Sequence, residues 1–302
     1  MSDHPIRTEG LTKVYDGVKA VDSLSLKVSK GQVFGFLGPN GAGKTTTIGM
    51  MVGLIEPTSG KCFINDLEVT RNPMEAKRIT GYLPDGVGFY SGLTARQNLK
   101  YFSKLYDMKG ADARISELIE YVGLGKVEKP VGSYSRGMKQ RLGLAQALLN
   151  DPEVIFLDEP TNGLDPQGVI QFRHILKEQS GLGKTIFFSS HVLEEVQQVC
   201  STLGILLKGR IIAQGTPDEL RNLHKNDAVK IHVKVAGAMP RLTDARIMES
   251  TYNDGSAVLK ASADIRDDIS QELTRGGFVI HELAIEEQTL EDVFLETVYG
   301  GV

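Results

Sequence analysis

The chain has 302 residues, 41% of them hydrophobic and 24% charged, with a net charge of −4. That balance is ordinary for a globular protein, leaves no basic nucleic-acid footprint, and contains no apolar run near the roughly 18–20 residues that a bilayer span needs. Cys62 and Cys200 stand alone, and the six histidines form no HxxxH or HExxH cluster, which argues against a disulfide framework and a zinc site.

In chain order, the start MSDHPIRTEG shows no basic-then-apolar pattern, so an intracellular chain is expected. LSLKV (24–28) alternates like a half-buried strand, and QVFGFLG (32–38) reads as a buried strand ending in glycine. GPNGAGKTTTIGMMVGL then opens a glycine loop into a helix. GYLPDGVGFY (81–90) has the proline and glycines of a loop but is unusually apolar, with Tyr82 reading as a core strand residue and Asp85 as a bare acid. Residues 94–107 and 111–123 carry helical spacing, with Leu99, Phe102 and Tyr106 on one stripe expected to pack in the core. GMKQRLGLAQALL (137–149) is a further helix, while VIFLD (154–158) and KTIFFSS (184–190) are apolar strands. This alternation of strand and helix predicts an α/β sheet with parallel strands.

Beyond Leu223 the pattern changes. AVKIHVKVAG (228–237) and SAVLKAS (256–262) predict strands, Ile265, Ile269 and Leu273 a helix, and FVIHEL a strand. Leu290, Val293, Phe294 and Val298 predict a closing helix begun by Thr289. Charge shifts too: residues 225–302 hold 8 basic and 14 acidic side chains, a net of −6, against +2 for the rest. Two domains are therefore expected, 1–223 and a small α+β unit at 224–302.

Gly38, Pro39, Asn40, Gly41, Ala42, Gly43, Lys44 and Thr45 complete the pattern G-x-x-x-x-G-K-[ST], and Thr46 follows. The glycines let backbone N–H groups turn inward around phosphate oxygens, and the following helix presents its positive end to the same anion. Lys44 suits the β- and γ-phosphates, and the Thr45 hydroxyl suits Mg²⁺. Asp158 ends a buried strand, where a carboxylate holds Mg²⁺, and Glu159 is placed to activate a water. Taken without the phosphate loop, this pair reads equally well as a helix cap.

With these motifs the sequence resembles the ATP-binding cassette (ABC) family over about residues 5–220. Tyr15 precedes the phosphate loop where the family stacks an aromatic on adenine. YSRGMKQRL (134–142) stands at the family's signature, DEPTNGLDP (158–166) carries the carboxylate pair, and His191 occupies the switch-histidine position. Arg136 and Met138 depart from the commoner glycine and glutamine, as in a branch often found in exporters. The ending IEEQTLEDVFLETVYGG is similar to the C-terminal extension of ATPase subunits from two-component exporters of drugs, antibiotics, polysaccharides and lipids.

The resemblance implies a mixed-sheet core, an antiparallel N-terminal β part and a helical subdomain at about 90–150 that carries the signature. It implies two cassettes, identical or related, closing head to tail around two ATP with Mg²⁺. Ser135 and Gly137 of one copy would cap the γ-phosphate held by the other, beside His191. It also implies a separate membrane permease, a peripheral place on the cytoplasmic face of the membrane, and no nucleic-acid partner. Asp85 falls where the family offers a glutamine to Mg²⁺ and water. An Mg²⁺ or water contact, a turn cap and a contact to the permease all remain open for it. Phe89 and Tyr90 are expected to line a groove for a permease helix. The alternative is a soluble ABC ATPase of the translation or DNA-repair type, which usually carries two cassettes or a long insertion.

Overall fold

The computed structural model describes residues 2–125, 127–222, 229–286, 291 and 294. They fall into two compact units, Met1–Pro217 and Asp218–Val302.

The first unit opens with a hairpin of β1 (Ile6–Tyr15) and β2 (Val18–Val28), longer than the strand expected at 24–28. Asp16 and Gly17 turn it with φ of 48° and 82°, the left-handed pair that suits the twist of a two-residue hairpin. The short buried strand β3 (Val33–Leu37) leads through the glycine loop into α1 (Lys44–Met51). β4 (Ser59–Ile64), β5 (Leu67–Glu68) and α2 (Pro73–Arg78) follow, then β6 (Thr80–Leu83).

GYLPDGVGFY is thus strand first and loop second: Gly81, Tyr82 and Leu83 belong to β6. A helical part follows, made of α3 (Ala95–Leu105), α4 (Asp112–Tyr121) and α5 (Arg136–Ala147). Thr94 and Gln97 close a capping box at the start of α3, and Leu99, Ile115 and Leu118 are buried in this part. β7 (Val154–Asp158), α6 (Pro166–Gly181), β8 (Thr185–Ser190), α7 (Leu193–Gln197), β9 (Thr202–Leu207) and β10 (Arg210–Gly215) complete the unit.

Two sheets result. One is antiparallel, in the order β2-β1-β4-β5. The other is mixed, in the order β10-β9-β3-β8-β7-β6, parallel except for β10. A single core joins them: Ile6, Leu11, Val21 and Val28 from the first meet Phe34, Phe156 and Phe187 from the second. The Phe34 and Phe187 rings stack with centroids 5.4 Å apart. Burial on both faces explains why the parallel strands read as unbroken apolar runs. The same geometry gathers their C-terminal ends, and the loops leaving them, along one edge.

α8 (Pro217–Asn222) lies at the division between the units. The second unit contains β11 (Val229–Val235), β12 (Ile247–Asn253), β13 (Ser256–Ala261), α9 (Arg266–Arg275) and β14 (Ile280–Ile285). Its antiparallel sheet runs β12-β13-β11-β14. Ile269 and Leu273 of α9 share a core with Ile231, Val233 and Leu259. β12 escapes sequence reasoning because IMESTYN is mostly exposed at a sheet edge and lacks clean alternation. Leu290, Val293 and Val298 of the expected closing helix lie outside the described residues, whereas Phe294 is described and buried.

Candidate nucleotide site

The loop between β3 and α1 is fixed by its glycines and by bonds to neighbouring segments. Gly43 has φ 108°, and a Cβ there would lie 2.4 Å from the Ala20 carbonyl oxygen. Ala42 N donates to Pro39 O at 3.1 Å, and Gly209 N donates to Ala42 O at 2.9 Å. Asn40, Gly41 and Thr45 are exposed along the loop, and Thr46 is half-buried. Lys44 is buried and folds back, its Nζ donating to Gly38 O at 2.7 Å and to Pro39 O at 3.2 Å. The loop is preformed, with its cation drawn inward.

Asp158 is fully buried at the end of β7. Its Oδ1 accepts from Ser189 Oγ at 2.6 Å, while Oδ2 has no hydrogen-bond partner among the described residues. Burial pushes this carboxyl above its ordinary range, against the opposing pull of the Ser189 and Thr45 hydroxyls. An orphaned buried carboxylate oxygen beside a threonine hydroxyl is a hard-oxygen donor set that fits Mg²⁺. Among the described residues no group of three or more His, Cys, Asp or Glu side chains forms a metal cage.

Glu159 has φ 48°, a strained value for a residue with a side chain. Its N–H donates to the Ser189 carbonyl and hydroxyl at 3.2 and 3.1 Å. Its Oε2 lies 2.7 Å from His191 Nδ1 and its Oε1 lies 3.2 Å from Lys44 Nζ. The Oε1 contact is an ion pair, and Oε1 has no hydrogen-bond partner among the described residues. The Glu159 carboxylate therefore faces an imidazole with one oxygen and an ammonium group with the other.

The remaining expected residues sit apart from this centre. Ser135 caps α5, accepting from Met138 N at 3.2 Å, and is exposed. Gly137 packs on the loop after β7, where a Cβ would come within 2.8 Å of Gly163 O. Tyr15 ends β1, 45% exposed, with the Lys13 ammonium 5.1 Å from its ring centroid. Asp85 Oδ1 accepts from Asn162 Nδ2 at 3.0 Å and lies 3.4 Å from an Arg136 terminal nitrogen.

A cavity of about 470 Å³ opens beside the loop after β6, lined by Leu54, Met74, Tyr82, Val87, Phe102 and Tyr106 among others. Two expectations are corrected here. Phe102 and Tyr106 line this groove instead of packing in the core, because only Leu99 of that stripe faces inward. Phe89 and Tyr90 do not line it. Phe89 meets Phe102 edge-on at 6.3 Å, and Tyr90 meets Tyr101 at 4.9 Å. Tyr82 supplies the aromatic wall from the strand, and burial lifts its hydroxyl to about 12.

Sequence reasoning missed Ser189, Thr161, Asn162 and Glu195, which hold the site's loops. The paired hydroxyls ending TIFFSS were the available signal: two polar side chains closing an apolar strand need buried partners.

A preformed phosphate loop beside the ends of parallel strands, with an acid–base pair against its lysine, defines a phosphate-loop nucleotide hydrolase. A family model described as "ABC transporter" matches residues 21–162, and one described as "ATP-binding protein DrrA1-3-like, C-terminal domain" matches residues 215–298. The bacitracin transport ATP-binding protein BcrA of Bacillus licheniformis is 38% identical over 303 residues, covering 98% of each chain. The daunorubicin resistance ATP-binding protein DrrA3 of Streptomyces coeruleorubidus is 33% identical over 310 residues, covering 98% of this chain and 96% of that protein. A solved ATP-binding subunit of an ABC transporter superposes with a TM-score of 0.67 at 29% identity, covering 72% of this chain and 92% of that one.

The chain belongs to the ABC transporter family, in a branch that carries the DrrA-like C-terminal domain. It is an ATP-binding and ATP-hydrolysing transporter subunit, and the translation or DNA-repair alternative is set aside. Among the described residues no helix is long and apolar enough to cross a membrane.

Proposed function

We propose that this subunit drives export through a separate membrane permease, hydrolysing Mg²⁺-bound ATP at two composite sites of a cassette dimer. The observation that carries the chemistry is the meeting of Glu159 with both His191 and Lys44. The backbone N–H groups of residues 38–46 cradle the phosphates, and Tyr15 stacks on adenine. Lys44 exchanges its carbonyl contacts and Glu159 for β- and γ-phosphate oxygens. This exchange releases the Glu159 carboxylate to orient and deprotonate the attacking water, and His191 positions that water against the γ-phosphate.

Thr45 and Asp158 would hold Mg²⁺, which neutralises charge developing on the phosphates. Asp85 would stand outside the metal's main ligands, with no more than a contact through water, because its Oδ1 already serves Asn162 and Arg136 and only Oδ2 is left. Ser135 and Gly137 at the start of α5 face the nucleotide of a second cassette, identical or related. There a hydroxyl, an N–H and a helix terminus meet an anion.

We read residues 1–223 as the nucleotide-binding part and 224–302 as an accessory part. The apolar groove beside β6 suits a short helix of the permease, which would keep the subunit peripheral on the cytoplasmic face. Export is supported by the kinship with a bacitracin transport protein and a daunorubicin resistance protein. Glu159→Gln tests the site. Hydrolysis should fall by roughly 100-fold or more while ATP binding is kept, in the range of a lost general base. A wild-type rate would overturn the assignment.

A further inference from the structure

Glu195 lies in the first turn of α7, four residues beyond His191. One of its oxygens, Oε2, accepts from Thr161 Oγ1 at 2.6 Å and from Ser190 Oγ at 2.9 Å. Both donors are buried, Ser190 completely and Thr161 with 6% of its surface exposed. Ser190 Oγ in turn accepts from Val192 N at 3.0 Å, so it is oriented from both sides. Thr161 belongs to the segment that begins with Glu159, and Ser190 ends the strand that delivers His191. A single carboxylate oxygen thus joins the two segments whose side chains meet at 2.7 Å.

We propose that Glu195 is a positioning residue for hydrolysis, a buckle that holds the Glu159 segment and the His191 segment in register. The inference rests on the site reading above and deepens it. Three observations support it. Glu159 has positive φ, and such strain persists only where the surroundings over-determine it. The backbone of the turn is fixed at its start by Ser189 and at Asn162 N, which donates to Glu159 O at 3.2 Å. Thr161 Oγ1 on Glu195 is the side-chain tie between those fixed points. A charged acceptor shared by two buried hydroxyls is also a strong arrangement, and removing it strands both donors. Glu195 touches no reacting atom in this reading; it sets where Glu159 and His191 stand.

The test compares Glu195→Ala, Glu195→Gln and Thr161→Val in the full chain, with Mg²⁺-ATP as substrate. Glu195→Ala should lower kcat roughly tenfold and leave KM for ATP within about twofold, because the phosphate loop itself is untouched. Glu195→Gln keeps an oxygen acceptor in the same place and should restore most of the rate. Thr161→Val combined with Glu195→Ala should be no worse than Glu195→Ala alone, since both remove one joint.

Hydrogen exchange covers the case in which Glu195→Ala folds poorly. In Glu195→Gln and Thr161→Val chains with wild-type circular dichroism, the amides of residues 159, 161–164 and 190–193 should lose protection together in the threonine variant only. The proposal is overturned if Glu195→Ala hydrolyses ATP at the wild-type rate, if the glutamine variant fails as badly as alanine, or if the two losses multiply. Failure of the underlying site reading shows separately, as an active Glu159→Gln chain.

Discussion

His191 Nδ1 lies 2.7 Å from Glu159 Oε2, and the other oxygen of the same carboxylate lies 3.2 Å from Lys44 Nζ. Glu159 is therefore held between the phosphate loop and the segment leaving β8. His191→Ala should leave Glu159 paired with Lys44 alone and remove the group set against the γ-phosphate. We expect kcat to fall by about 100-fold, within the span of a lost acid–base or positioning group. The affinity for ATP should stay within a few-fold, because Lys44 and the loop N–H groups are unchanged. Steady-state hydrolysis with equilibrium nucleotide binding checks this, and an equal loss in both would refute it.

Asp85 gives a second prediction. Its carboxylate joins three segments: the loop after β6, Asn162 after β7 and Arg136 at the start of α5. It is 48% exposed and Arg136 is 63% exposed, so the ion pair itself contributes little. Asp85→Asn retains an acceptor for Asn162. It should leave the half-saturating Mg²⁺ concentration for hydrolysis within about twofold, as expected when a metal keeps its main oxygen ligands. A rise of tenfold would instead make Asp85 a metal ligand.

Acid stability supplies a third. Asp22 receives Lys19 Nζ at 2.8 Å and Arg210 Nε at 2.8 Å, and so ties β2 to β10. These partners, Lys19 first, hold its carboxyl down at about 2 against an ordinary 3.8. A depressed folded-state value means that the stabilisation is complete above 3.8 and is lost as pH falls towards 2. Wild type should therefore unfold at a higher temperature than Asp22→Asn at neutral pH, and the gap should close between pH 4 and pH 2. A gap that persists at pH 2 would assign the effect to packing.

What the sequence reveals follows from where the physics is local. The phosphate loop, Asp158 and Glu159 are legible because each is a contiguous motif at the end of a buried apolar strand. The parallel strands β3, β7 and β8 are legible for the same reason. The hairpin strand β1 and the edge strand β12 are not. IRTEGLTKVY mixes polar and apolar residues with shifts in register, and IMESTYN is exposed on most positions. Phe102 and Tyr106 show the limit of periodicity. A helical stripe fixes which residues share a face but not whether that face meets a core or a groove. Glu195 and Asn162 are invisible for a further reason: their partners, Thr161 and Asp85, lie 34 and 77 residues away.

The last prediction concerns Gly81, in the strand that precedes Asp85. A Cβ at this position would lie 2.0 Å from Ala147 O and 2.9 Å from Pro152 Cγ. The first of these is backbone at the end of α5, the helix that Ser135 caps, and it cannot turn aside as a flexible side chain can. Gly81→Ala must therefore push β6 and α5 apart. Overpacking of this kind destabilises by about 1–3 kcal/mol. The displacement also reaches the other end of α5, which carries the residues proposed to meet the second cassette's nucleotide. We expect a melting temperature lower by several degrees, together with weaker ATP-dependent dimerisation of a Glu159→Gln chain carrying the substitution. Gly86→Ala is the control, because nothing lies within 4 Å of a Cβ built there. Equal melting temperatures for the two variants would show that the strand and the helix part more easily than their contact implies.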